Sequence, residues 1–277
     1  MKYFLLAAAA LFAASIMTNA QGKFETVELK NSTLHVYYSN DVMADASFIV
    51  EGRNALVTLE APLFKSGLYE FNSYIVKLGK PLECAIVDYH QGQHEGENVV
   101  MPEGMDKFTR EGVYAAMMGG FRQSFGDTMV EVSNGKVREI PFGESVKLAG
   151  VEFYIGRGPA NDFPASVIVI DGSACLMHWA PMKAHANNLQ ISSAEAVAQA
   201  IDGLETASKT GVEIFLGSHG GVSDRAGLEF RLSYLRKIQK LLSSKPSARE
   251  FASKLKAAYP GLAGEEGVDA LAEALCK

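Results

Sequence analysis

The sequence predicts an α/β fold in which two mixed β-sheets pack as a four-layer αβ/βα sandwich with helices on both outer faces. Three observations carry this expectation. Short apolar and β-branched runs bounded by Gly, Asn, Asp and Pro alternate with longer stretches whose apolar residues recur at helical spacing. The order of strands followed by helix occurs twice, once up to Gly120 and again up to Leu242. No Pro/Gly/Ser-rich linker separates the two halves, so residues 21–277 read as a single domain built in layers around a common core.

The first twenty residues stand outside that fold. Met1-Lys2 precedes an apolar run from Tyr3 to Met17, and Thr18-Asn19-Ala20 offers small residues before Gln21-Gly22. A basic start, an apolar centre too short to span a bilayer and a small-residue junction describe a secretory signal peptide over residues 1–20. The expectation is export to a periplasm or to the medium, with no membrane span left after cleavage behind Ala20.

From Lys23 the chain reads as a meander of strands at Phe24–Leu29, Thr33–Tyr38, Ser47–Val50 and Ala55–Leu59, ended by Glu60-Ala61-Pro62. Lys65–Gly79 then delivers the chain to a buried strand at Cys84–Val87. Met105 to Gly119 carries Phe108, Val113, Ala116 and Met117 on one stripe and reads as a helix. Strands are expected again at Asp127–Val132, Ser145–Leu148, Val151–Ile155, Ala165–Ile170 and Ala174–Met177. Asp171-Gly172 between two apolar runs is the strongest hairpin signal. Ser192 with Glu195 forms a capping box for a helix that stops near Gly211, and Val212–Leu216 is a further buried strand. A long amphipathic helix from Arg225 to Leu242 follows. Ser247 and Glu250 open another that runs through Ala258, and a last helix covers Glu265 to Leu275.

Composition narrows the function. Of the 277 residues 48% are apolar, enough for a sizeable core, and the net charge of −6 argues against nucleic acid or an anionic membrane surface as partners. The partner expected is a small molecule, as substrate or ligand. Cys84 and Cys175 lie in apolar runs, where a thiol packs as a small hydrophobe, and Cys276 sits near the last residue. These spacings allow one disulfide but no disulfide framework, and they give no cysteine metal site.

The chemistry-bearing residues cluster after buried strands. His90 and His94 lie in Asp88–Asn98, His178 follows Ala174–Met177, and His219 follows Val212–Leu216 inside Gly217–Gly221. Strand ends that share one rim would bring these imidazoles together. Three neutral imidazoles and a water make a catalytic zinc site, in which the water becomes a nucleophile near neutral pH. Each histidine also has a plain structural reading. His94 and His219 can be hydrogen-bonded loop residues, His178 can pack at a strand end beside Trp179, and His90 can orient another ligand. His185 reads as structural or solvent-facing, Asp162 as a turn residue, and His35 as lying on a solvated strand face. The glycines after Val212–Leu216 are not followed by the Lys of a phosphate-binding loop, and no G-x-S-x-G elbow is present. Met105, Met117-Met118 and Phe121 to Phe125 read as helix packing or as an apolar lid.

On these residues the chain resembles the metallo-β-lactamase superfamily. Asp88–Asn98 is similar to that family's His-x-His-x-Asp-His loop, and Gly217-Ser218-His219-Gly220 to its late Gly-His-Gly motif. Ala55–Leu59 is similar to the strand that opens its site. The resemblance covers nearly all of residues 21–277 and implies the αβ/βα sandwich. It also shows departures. Tyr89, Gln91 and Gln93 stand where the family's first His, second His and Asp would be, and only His94 keeps its place in that loop. Asn161-Asp162 occupies the region of the middle His, and His178 replaces the bridging Asp. The resemblance therefore implies an altered site with one ion, zinc or iron, held by His94, His178 and His219, with His90, Asp162 and His185 as further candidates. Two readings follow. One is an exported metal-dependent hydrolase acting on an ester, amide or lactone-type bond. The other is a non-catalytic relative that binds a ligand or partner in the altered cleft.

Overall fold

The computed structural model describes residues 21–90, 98–131, 136–158 and 166–277. The signal peptide expected over residues 1–20 lies outside them. The chain divides into two compact units, one ending at Ile155 and the other beginning at Gly156.

The first unit opens with the expected meander: β1 (Lys23–Glu28), β2 (Thr33–Tyr38), β3 (Ala46–Glu51) and β4 (Leu56–Leu59), each antiparallel to the one before. Helix α1 (Lys65–Leu78) buries Gly67, Leu68 and Phe71, and its end is set by Gly79 in the left-handed region. Phe71 meets Tyr37, Ile49 and Leu56 in one apolar cluster, which seats the helix on the sheet. The crossover returns the chain to β5 (Leu82–Ile86), parallel to β4. Two parallel strands follow, β6 (Val99–Pro102) and β7 (Val137–Ile140), and complete a seven-stranded mixed sheet in sequence order. Neither stands out in the sequence, because four residues are too few for a period to show.

Between β6 and β7 the helix expected from Met105 is two helices, α2 (Met105–Arg110) and α3 (Gly112–Phe125). Glu111 is extended and Gly112 adopts φ 62°, so the backbone turns where the apolar stripe runs on unbroken. The strand expected at Asp127–Val132 does not form among its described residues. Gly126–Thr128 is a 3-10 turn, Met129 makes an isolated bridge to Phe64, and Val130 donates to the Leu63 carbonyl. Met129 is thereby buried with Leu63 and Phe64 under Met118, Phe121 and Phe125, so most of the Met- and Phe-rich stretch packs as core. His35 also departs from expectation. It is buried, with Nδ1 3.0 Å from the Tyr74 hydroxyl and Nε2 2.9 Å from Glu51. The alternation in β2 suggests an exposed face, but α1 contributes Tyr74 to cover it. The hydrogen bond from Lys80 and then that from His35 hold the Glu51 carboxyl below its ordinary range. The antiparallel pair β8 (Glu144–Leu148) and β9 (Val151–Arg157) follows.

The second unit begins with β10 (Ser166–Ile170) and β11 (Ala174–Trp179), the hairpin signalled by Asp171-Gly172. Both turn residues have positive φ, 55° and 59°, as a turn of that hand requires. Helix α4 (Ala194–Lys209) is capped by Ser193, whose hydroxyl accepts from Ala196 N, one residue later than the sequence pattern indicates. Strand β12 (Ile214–His219) pairs parallel with β11. A short strand, β13 (Gly221–Asp224), turns back antiparallel on β12 where a glycine loop is expected. Asp224 caps α5 (Arg225–Leu242), and Ser247 caps α6 (Ala248–Ala258) as anticipated. A 3-10 turn at Glu265–Gly267 leads into α7 (Val268–Leu275). Val197, Ile201 and Leu204 of α4 and Leu228, Leu232, Leu235 and Ile238 of α5 bury Cys175 and Phe215 of the strands. The strands of the second unit run in the order β13-β12-β11-β10 and mix parallel with antiparallel pairs, as the first sheet does.

All three cysteines are free, and burial pushes the Cys175 thiol up to about 12, so it serves as a packed apolar group. Among the described residues, no helix is long and apolar enough to cross a membrane.

Candidate metal centre

In the first unit the centre is built around Glu60, at the end of β4. Glu60 has φ 56°, rare for a residue with a side chain, and is 1% exposed. That turn aims its carboxylate at the loop after β5. Glu60 Oε1 accepts from Asp88 N at 2.6 Å, and Oε2 accepts from His90 N at 2.9 Å. Charge-assisted bonds to two loop amides, those of Asp88 and His90, hold His90 at the strand end. The His90 ring is buried, with Nδ1 3.8 Å from Glu60 and 4.0 Å from the buried Asp45. Tyr114 of α3 donates to the Tyr89 carbonyl, and Tyr89 stands edge-on to Phe108. Burial raises both tyrosine hydroxyls far above their ordinary range.

In the second unit the parallel register places Trp179 opposite His219. Their rings stack, with centroids 4.2 Å apart and planes at 29°. The His178 ring lies 4.9 Å from that of His219 at a steep 78°. The backbone makes this approach through glycine. A Cβ on Gly217 would sit 2.0 Å from Ala180 N, and one on Gly220 would sit 2.3 Å from Met182 Sδ. Ala180 N donates to the His219 carbonyl at 2.9 Å and ties the ends of β11 and β12 together. His178 and His219 are half-buried, accessible to an ion or a small molecule.

His185 belongs to a different arrangement. Its Nδ1 is 3.0 Å from the Tyr234 hydroxyl, which also accepts from Ala186 N, and its own N–H donates to the Ala263 carbonyl. Beside it the buried Arg231 donates to the Ala184 carbonyl and to Gln190. This network fastens the loop after β11 to α5 and engages His185 Nδ1. His94 and Asp162 lie outside the described residues. Of the histidines named from the sequence, the second unit brings His178 and His219 together, and the first seats His90 among carboxylates. Sequence reasoning missed Glu60, which it treats as punctuation after the meander, and Trp179, whose only signal is an aromatic ring next to a histidine.

Burial, the largest influence, lowers the His185 pKa below its ordinary 6.5, while the Glu265 charge partly opposes this. The unfolded chain therefore takes up this proton first as pH falls, and stability decreases from about 6.5 down to the folded pKa. The melting temperature of the wild type is expected to drop more steeply over that window than that of His185→Gln. Parallel melting curves for the two proteins would contradict this.

No protein-family model and no curated protein matches the chain. Solved structures do. The metallo-β-lactamase DIM-1 superposes with a TM-score of 0.53 at 15% identity, covering 78% of this chain and 97% of that one. The metallo-β-lactamase from Pontibacter korlensis gives a TM-score of 0.54 at 13% identity, covering 77% and 99%. The chain has the metallo-β-lactamase fold. Another metallo-β-lactamase-fold neighbour, FIM-1 from Pseudomonas aeruginosa in its mono-zinc form, superposes with a TM-score of 0.53 at 11% identity over 79% of this chain and 96% of that one. The sec-alkyl sulfatase PisA1 gives a TM-score of 0.58 at 17% identity, covering 91% of this chain but 49% of its own. This chain places imidazoles at the ends of β11 and β12, while Tyr89 is packed into the core.

Proposed function

We propose that the protein is a metal-dependent hydrolase whose single ion is held by His178 and His219 with a histidine of the loop after β5, His94 or His90, as the sequence resemblance implies. The observation that carries this reading is the pair of half-buried imidazoles, His178 and His219, 4.9 Å apart at the ends of neighbouring parallel strands. Three neutral nitrogen donors suit zinc in a three-ligand catalytic arrangement, and they fit calcium or magnesium poorly. When bound, zinc supplies Lewis-acid chemistry and makes water a competent nucleophile near neutral pH.

The chain's own groups do the rest. Glu60 and Asp45 place two carboxylates 3.8 and 4.0 Å from His90 Nδ1. Glu60 also fixes the loop backbone through two amides. Tyr114 anchors the Tyr89 carbonyl. Trp179 forms an aromatic flank beside the two half-buried imidazoles. The substrate class proposed is a small ester, amide or lactone, in keeping with hydrolase neighbours of this fold. Residues 1–20 are proposed to direct export. A chain recovered from a periplasmic or culture fraction should then begin at Gln21 by intact mass, and recovery of the full chain from the cytosol alone would refute that.

The burial of Tyr89 at a position where the related loop would offer a ligand favours a second reading, a non-catalytic binder. Elemental mass spectrometry of residues 21–277, purified without a His tag or chelator, separates the two. Near-stoichiometric zinc or iron supports the hydrolase. A zero after incubation with metal removes it and leaves the binder.

A further inference from the structure

We propose that Trp179 is a positioning residue for the metal site: its indole fixes the plane of the His219 imidazole and favours the charge this ring acquires when an ion binds. The inference rests on the metal-site reading above and adds a residue to it. The parallel register sets Trp179 directly opposite His219, so the stack is a cross-strand pair held by both backbones. The bond from Ala180 N to the His219 carbonyl follows immediately after Trp179 and limits movement of either residue. Gly217, with no room for a Cβ against Ala180 N, keeps the strand ends this close.

Two physical effects follow. An imidazole already held in plane loses less rotamer freedom when it takes an ion. A ring that gains positive character on coordination is also stabilised over an indole face, the strongest of the aromatic partners for a cation. His178 is placed differently. Its ring meets Trp179 edge-on, at 5.3 Å and 78°, so Trp179 acts on His219 selectively.

The protein contains a single tryptophan, which makes the stack directly observable. Zinc affinity, measured against a competing chelator on the full mature chain, is expected to fall at least about tenfold in Trp179→Leu, the range typical for lost groups that orient metal ligands. Trp179→Phe, which retains a stacking face, should recover most of that loss. Zinc should change the emission of Trp179 in the wild type and leave it unchanged in His219→Ala. Equal zinc affinity in folded wild type and Trp179→Leu, or emission that zinc does not move in the wild type, would overturn the proposal. If the leucine variant does not fold, the emission response of the wild type still decides it. A wild type that binds no zinc fails the metal-site reading itself and takes this inference with it. A wild type that binds zinc as tightly as Trp179→Leu fails only the inference.

Discussion

Replacing His178 and His219 together with alanine is expected to strip the protein of its metal. The two rings sit 4.9 Å apart, and they supply two of the three donors in the proposed site. A single remaining imidazole cannot hold zinc against water, so the loss should far exceed the roughly 10–100-fold attached to a group that only orients a ligand. Both residues are half-buried at strand ends and carry none of the core, so far-UV circular dichroism and the melting temperature should stay close to those of the wild type. Elemental analysis of the double variant beside the wild type reads the result. A variant that keeps near-stoichiometric zinc would place the metal elsewhere and remove these two residues from it.

The second large effect is expected at Glu60. Its buried carboxylate accepts from Asp88 N and His90 N, and alanine would leave both buried amides without that acceptor. Each such group costs about 1–3 kcal/mol, so Glu60→Ala should destabilise the protein by roughly 2–6 kcal/mol. Glutamine restores one acceptor oxygen and should recover part of the loss. Glycine relaxes the positive φ but supplies no acceptor, so it should remain well below the wild type. Urea unfolding of the three variants tests the order, with the midpoint shifting while the slope stays constant. If alanine matched the wild type, the two amide bonds would not be holding the loop. In the metal-binding reading the alanine variant should also bind zinc more weakly, because His90 loses the support that places it.

Much of the fold was legible. The meander from β1 to β4, the Asp171-Gly172 hairpin, the Ser247 cap and the amphipathic helix α5 all follow from patterns within a few residues. Such signals are local: an alternation of two, a helical repeat of 3.6, a turn that demands positive φ. They failed where a local pattern was too short or was overridden from a distance. Strands β6 and β7 have four residues each. The strand expected at Asp127–Val132 gave way because Met129 and Val130 pair with Phe64 and Leu63. His35 looked solvent-facing until Tyr74 closed over it.

The sequence by itself determined the αβ/βα class and placed an imidazole at the end of each of several buried strands, because both depend on residue type and short-range spacing. Only the tertiary structure decided which groups meet. Glu60 reaches amides 28 and 30 residues away, Tyr234 holds His185 by a contact spanning 49, and Trp179 lands on His219 through a strand register. Contacts of that range are set by how whole elements pack and how their backbones close on one another, and no spacing along the chain encodes them.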